Sequence, residues 1–194
     1  MEKKVKLKDG TEITIRPITM DDLDKSHEFF LALPEEDRAY LRVDVTKREV
    51  VQRRIKDMEI MNIKRIIALH NDNIIANAAL EIGSHGWEGH IGELRLIVSK
   101  DFQRKGLGVI MANELYSYAT REKVEEMVIK IMKPQLAARK IFERLGFKED
   151  VTLKDYVKDI SGQRRDLVIF RCNLADLWQE LEDYFHETDH RGIA

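Results

Sequence analysis

The chain predicts an α/β (α+β) fold, a mixed and mostly antiparallel sheet flanked by helices, with one parallel pair of strands. Three observations predict it. Short apolar segments of period two meet across turn residues at the start, middle and end of the chain, as the arms of antiparallel hairpins do. Two segments of helical period in the second half each follow a strand. Strand 91–98, a helix after Gly108 and strand 127–132 follow one another, and a right-handed crossover makes those strands parallel.

Segments 5–7 and 11–15 flank Lys8-Asp9-Gly10, with Ile13 and Ile15 on one face and Thr14 and Arg16 on the other. Pro17 ends the strand, Thr19 or Asp21 caps a helix running through Leu31, and Pro34 stops it. Glu35-Glu36-Asp37 reads as an acidic connection. A helix follows over 46–60, its capping Thr46 paired with Glu49 in a capping box. Strands 65–69 and 74–82 join at Asn71-Asp72-Asn73, and 83–89 turns the chain into strand 91–98. The next helix sets Leu107, Ile110, Met111, Leu115, Tyr118 and Ala119 on one stripe, so it packs on the sheet. After strand 127–132, Ala138, Ile141, Phe142 and Leu145 form the buried stripe of a helix that Gly146 closes. Segments 151–158 and 167–172 make a last hairpin across Ser161-Gly162. Residues 174–186 read as a closing helix, with Leu174, Leu177, Trp178, Leu181 and Phe185 on one side.

With 194 residues the chain fits a single domain, 1–194, with room for a substantial core. No repeat, low-complexity tract or linker interrupts it. A net charge of −2 indicates neither nucleic acid nor an anionic membrane as partner. The single cysteine, Cys172, lies in an apolar run and reads as a small buried residue without a disulfide partner. No apolar run approaches the ~18 residues of a membrane span. The first residues lack the apolar core of a signal peptide, so the expected location is cytoplasmic. His85 and His90 flank a turn holding Trp87, with no cysteine or second carboxylate to complete a ligand set; they read as loop histidines, and no metal is expected.

The segment carrying most chemical information is strand 91–98 with the turn after it, Gln103-Arg104-Lys105-Gly106-Leu107-Gly108. Glycines opening a helix leave unpaired backbone N–H groups at its positive end, where a phosphate can sit, and Arg104 and Lys105 add charge beside them. Val109 and Ile110 after Gly108 exclude a P-loop, and Met111 excludes the third small residue of the dinucleotide fingerprint. What remains, Gln103-x-x-Gly106-x-Gly108, resembles the pyrophosphate motif of the GNAT superfamily of acyl-CoA N-acyltransferases. The alternative is a tight turn that needs glycine for its backbone angles alone.

A second match follows at 135–147, where Ala138, Gly146 and Phe147 fit the superfamily's second motif and Ile141 is a conservative fit. Gln135 replaces its usual Asn, and Phe142 its usual Tyr. The likeness covers nearly the whole chain, and residues 7–18 and 38–42 are also loosely similar to the acetyltransferase domain of bacterial Pat-type protein-lysine acetyltransferases. It implies a central parallel pair of strands that splay apart, the pantetheine arm of acetyl-CoA pairing with the backbone of Leu96, Ile97 and Val98. Gln103, Arg104, Lys105, Gly106, Leu107 and Gly108 would wrap the pyrophosphate, and Gln135 would offer an amide to the pantetheine.

The implied reaction is direct attack by a neutral amine on the acetyl thioester, and an alkylammonium of pKa near ~10.4 must first lose a proton. Glu93 is the candidate base, because Pat-type enzymes place a glutamate ten residues before the motif's glutamine; burial is expected to raise its pKa. Its other reading is an exposed strand residue or a partner of Arg95, with Glu81 in reserve. The N–H of Val98 would hold the oxygen of the tetrahedral intermediate. Phe142 has no proton for the leaving thiolate. Either a thiol of pKa near ~8.5 departs unassisted, or Tyr116 or Tyr156 donates, each otherwise a packing residue with a wet hydroxyl.

The expected function is therefore acetyl-CoA-dependent N-acetylation of a primary amine, a protein lysine first, a polyamine or amino-sugar second. Residues 35–37 either attract a cationic acceptor or are simply solvated. The contrasting reading is an acyl-CoA-binding regulatory module without turnover, against which Glu93 argues, since binding needs no base. A homodimer stays open.

Overall fold

The computed structural model describes residues 2–83 and 86–176. Its strands form one eight-stranded sheet in the order β1-β2-β3-β4-β5-β6-β8-β7. They are β1 Lys3–Lys6, β2 Glu12–Pro17, β3 Ile63–His70, β4 Asn73–Ile82, β5 Ile91–Val98, β6 Glu126–Met132, β7 Lys148–Lys158 and β8 Arg164–Asn173. The helices are α1 Leu23–Ala32, α2 Glu35–Arg38, α3 Arg48–Lys56, α4 Leu107–Arg121 and α5 Leu136–Arg144. Only β5 and β6 are parallel neighbours; the other pairs are antiparallel, as the hairpins and the crossover predict.

Strand alternation divides the core into two layers. Ile66, Ala78, Leu80, Leu94, Met127 and Ile129 pack in one cluster with Leu107, Met111, Leu115 and Tyr116 of α4. On the other face Ile67, Leu69 and Ile74 pack with Phe29 and Phe30 of α1 and Val51 and Ile55 of α3. The turn between β3 and β4 puts both Asn71 (φ 48°) and Asp72 (φ 66°) in the left-handed region, the conformation that a two-residue type I′ hairpin demands and Asn and Asp tolerate.

Several local expectations fail for identifiable reasons. The acidic connection at 35–37 is the helical turn α2. The helix placed at 46–60 is the shorter α3, and Thr46 does not cap it, because its N–H and hydroxyl both donate to Asp44 Oδ1. That local turn competes with the cap. The corresponding interaction forms instead at Thr19, whose N–H donates to Asp22 Oδ2 at 2.9 Å while Arg16 Nη2 donates to Oδ1 at 2.6 Å. Ile141, assigned to a buried stripe, is 40% exposed. The predicted closing helix lies outside the described residues beyond Asp176, as does His85. Among the described residues no helix is long and apolar enough to cross a membrane.

Candidate active site

The site begins where two strands part. β5 pairs with β6 only through Ile91, Gly92 and Glu93, opposite Glu126, Met127 and Val128. Beyond Glu93, β5 continues along β4 as far as Val98↔Ala76, and β6 continues along β8 as far as Met132↔Leu167. Gly92 permits the close approach just before the fork. A Cβ there would lie 2.8 Å from Leu80 Cδ1 and 3.1 Å from Val124 Cγ1, closer than packed carbons allow. Ser99 N–H donates to Ile75 O at 2.9 Å, so strand alternation turns the N–H and C=O of Leu96 and Val98 away from β4 and into the fork.

A cleft of about 360 Å³ fills the opening. Leu96, Ile97 and Val98 line it from β5, Gln103, Arg104 and Gly108 from the glycine turn, and Gln135, Ala138, Ile141 and Phe142 from α5 and its start. Arg104 (φ 62°) and Gly106 (φ 86°) take left-handed backbone angles, and α4 begins at the next residue. The N–H groups of its first turn have no intrahelical acceptor and sit at the positive end of the helix. A Cβ on Gly108 would meet Leu96 Cδ2 at 3.5 Å, so anything longer than a methyl group crowds the cleft wall.

Not every residue of the turn serves the cleft equally. Lys105 Nζ pairs with Asp9 Oδ2 at 3.0 Å and lies 4.9 Å over the Phe102 ring, tying the β1–β2 turn to the start of α4. Leu107 is buried in the core and leaves only its backbone. Gln103 Nε2 donates to Val98 O at 3.1 Å. Gln135 Oε1 accepts from Met132 N at 2.8 Å, which spends its extra length on anchoring and leaves its NH₂ without a partner among the described residues.

Glu93, at the point of the fork, has a side chain 13% exposed. It accepts from Lys130 Nζ at 2.9 Å and Arg95 Nε at 3.2 Å, and Arg42 pairs with it too. Burial alone would raise its pKa, but the Lys130 hydrogen bond and the charges of Arg42 and Arg95 outweigh it, and the carboxyl is held below its ordinary value. The expected upward shift is therefore corrected, because sequence spacing shows Arg95 but not Arg42 and Lys130 arriving from other elements. Glu81, the reserve candidate, pairs with Arg95.

Phe142 is buried at the cleft wall, its ring 5.9 Å from Phe147 in an edge-on contact. Neither tyrosine named beside it from sequence reaches the cleft lining. Tyr116 is buried and donates to Leu145 O at 3.2 Å, so its hydroxyl is not wet, and burial pushes its pKa up. Tyr156 lies on β7 and is 66% exposed. Among the described residues Tyr40 is the tyrosine that does line the cleft, with Asp37 and Leu41 of the same segment. It follows the acidic residues of α2, and no motif spacing connects it to the glycine turn. Among the described residues no group of His, Cys, Asp and Glu side chains is arranged to hold a metal.

A forked parallel pair closed by a glycine turn is the arrangement that the sequence's resemblance to acyl-CoA N-acyltransferases implies. A family model described as the Acetyltransferase (GNAT) family matches residues 23–147, which include the fork, the glycine turn and α5, and the chain belongs to that family. It is an acetyl-CoA-dependent N-acetyltransferase. No curated protein matches the sequence. The fold is similar to that of the GNAT domain of S. lividans PAT, with a TM-score of 0.75 and 18% identity over 89% of this chain and 96% of that one. It is also similar to yncA of Salmonella typhimurium with acetyl-CoA, with a TM-score of 0.69 and 17% identity over 84% and 94%. The RimL ribosomal L7/L12 α-N-protein acetyltransferase with coenzyme A gives 0.73 and 15% over 83% and 93%.

Proposed function

We propose that the protein acetylates a primary amine by direct transfer, with the pantetheine arm of acetyl-CoA along the open edge of β5 and the pyrophosphate at residues 103–108. The fork carries this reading. Among the described residues it leaves Leu96 and the Val98 N–H without a strand partner on that side, Val98 O being held by Gln103, with the cleft, the glycine turn and Glu93 along the same strand. Gln135 adds an amide donor on the opposite wall, and the Val98 N–H lies on the fork side, where it can receive the developing oxyanion.

The depressed pKa of Glu93 changes how its role is read. A carboxylate below its usual range is a poor match for an ammonium of pKa near ~10.4. The cations that hold Glu93 down also disfavour a positive charge on an incoming amine, and so lower the amine's own pKa. In this reading Arg42, Arg95 and Lys130 favour the neutral nucleophile, and Glu93 receives its proton, directly or through water, as the N–C bond forms. Tyr40 then protonates the departing thiolate in place of the tyrosine that Phe142 replaces. A lysine side chain is the first acceptor to try, by analogy with the PAT domain. Incubation with acetyl-CoA and a panel of amines should release free thiol only when both substrates are present. Tight acetyl-CoA binding with no thiol release from any amine would make the protein a binding module instead.

A further inference from the structure

The sheet face beneath α1 and α3 carries a group of donors that the transfer step does not use. Arg65 pairs in register with Ala79, and Ala79 with Arg95, so the two arginines lie in one row with only a methyl group between them. Asn77 is the next residue on that face of β4, and Arg54 comes from α3 with its guanidinium 5.3 Å over the Phe30 ring. Arg65 is 5% exposed and Asn77 3%; Arg65 Nη1 donates to Asn77 Oδ1 at 3.0 Å. Arg65 Nε and Asn77 Nδ2 are buried without an acceptor, and neither Arg54 nor Arg65 forms an ion pair among the described residues.

Glu81, on the same face of β4, is already paired with Arg95 and reaches Arg65 only through space, so the groups left without a partner are donors or positive charges. Burial, with the charges of neighbouring arginines, brings Arg65 down to about 9 and Arg54 to about 10. A buried cation such as Arg65 with no directly paired counterion is costly, and an anion with several acceptor oxygens relieves both the charge and the orphaned N–H groups. The patch is continuous with the fork, since Arg95 also donates to Glu93. Strand spacing puts the Cα of Arg65 roughly 12 Å from that of Glu93, within the span of one small acceptor or one long side chain.

We propose that the acetyl acceptor is an amine whose far end bears an anionic group, a carboxylate or a phosphate, that docks among Arg54, Arg65 and Asn77 while the amine reaches Glu93. The proposal rests on the transfer reading above but displaces its first acceptor, since a lysine side chain within a protein carries no anion at its far end. It disfavours polyamines, whose second positive charge would meet the arginines.

The test compares kcat/KM for 6-aminohexanoate, L-lysine and O-phosphoethanolamine with that for hexylamine, in wild type and in Arg54→Gln and Arg65→Lys. Thermal unfolding confirms that each variant is folded. Wild type should prefer an anionic amine by about tenfold to a hundredfold, the range for charge-assisted hydrogen bonds, and both variants should lose most of that preference. The carboxylate and phosphate arms show which anion the site takes. Equal kcat/KM for anionic and neutral amines overturns this inference and leaves amine transfer standing. Should no amine be acetylated, the transfer reading fails, and calorimetry with succinate and with phosphate decides the anion site alone. Saturable binding that Arg54→Gln weakens tenfold upholds the site, and absence of binding removes it.

Discussion

The two ends of the fork are built from different parts of the chain. At the glycine turn the contacts on offer are main-chain groups: the first N–H groups of α4 and the free edge of β5. At Glu93 and beyond they are side chains, a carboxylate among Arg42, Arg95 and Lys130, then Arg54 and Arg65 further along the same face. The first end suits a ligand part common to every reaction of this kind. The second holds whatever distinguishes one acceptor from another, because side chains can be exchanged without disturbing the strand pairing.

That contrast can be broken most decisively at Glu93. Glu93→Gln should cut turnover about a hundredfold or more while acetyl-CoA affinity by calorimetry barely changes; wild-type turnover would move the role to Glu81. At the other end, Gly108→Asp puts a negative side chain against Leu96 and beside the expected pyrophosphate. It should weaken acetyl-CoA binding by about tenfold to a hundredfold in a protein that still unfolds cooperatively, and unchanged affinity would sink the assignment of the turn. Tyr40→Phe should lower kcat about tenfold, less than a usual general acid because a thiolate leaves readily. Adding Phe142→Tyr should restore part of the loss. A Tyr40→Phe variant with full activity means that the thiolate departs unassisted.

The smallest expected effect concerns pH. Glu93 is held below the ordinary carboxylate range, so it stays ionised through neutrality and its limb of the profile falls in acid, below the usual value of 4.5. By linkage, its ion pairs add stability above that value and lose it as pH falls through the lowered one. The alkaline rise in kcat should belong to the bound amine and lie below its solution pKa. Lys130→Gln, by removing one cation, should move that rise upward by about one unit. A midpoint that ignores Lys130 would separate the cations from the amine's ionisation.

How much was legible in the sequence follows the same division. The fold and the glycine turn were readable because period-two runs, Asn71-Asp72, Gly106 and Gly146 act locally, each through its own backbone angles. The β5 range 91–98 is the one the structure shows. The environment of Glu93 was not readable: Arg42 lies 51 residues earlier and Lys130 37 later, and only strand register and loop path bring them together. Tyr40 and Arg42 both lie in the Pat-like segment 38–42, but that resemblance gave neither of them a role. Thr46 misled because its partner, Asp44, precedes it, where a capping box is read forwards. The Arg65 patch depends on two registers at once, so no pattern along the chain announces it.

The fork also bears on how the molecule holds together. Past Glu93, among the described residues, β5 has a neighbouring strand on one side only, although it sits in the middle of an eight-stranded sheet. An extended ligand that pairs with that edge acts as a temporary ninth strand, and its binding energy becomes folding energy. Resistance to heat and proteolysis should therefore climb with the logarithm of acetyl-CoA concentration, by about 2.7 kcal/mol at a hundred times the dissociation constant. The amount of folded protein would then follow the supply of its own substrate.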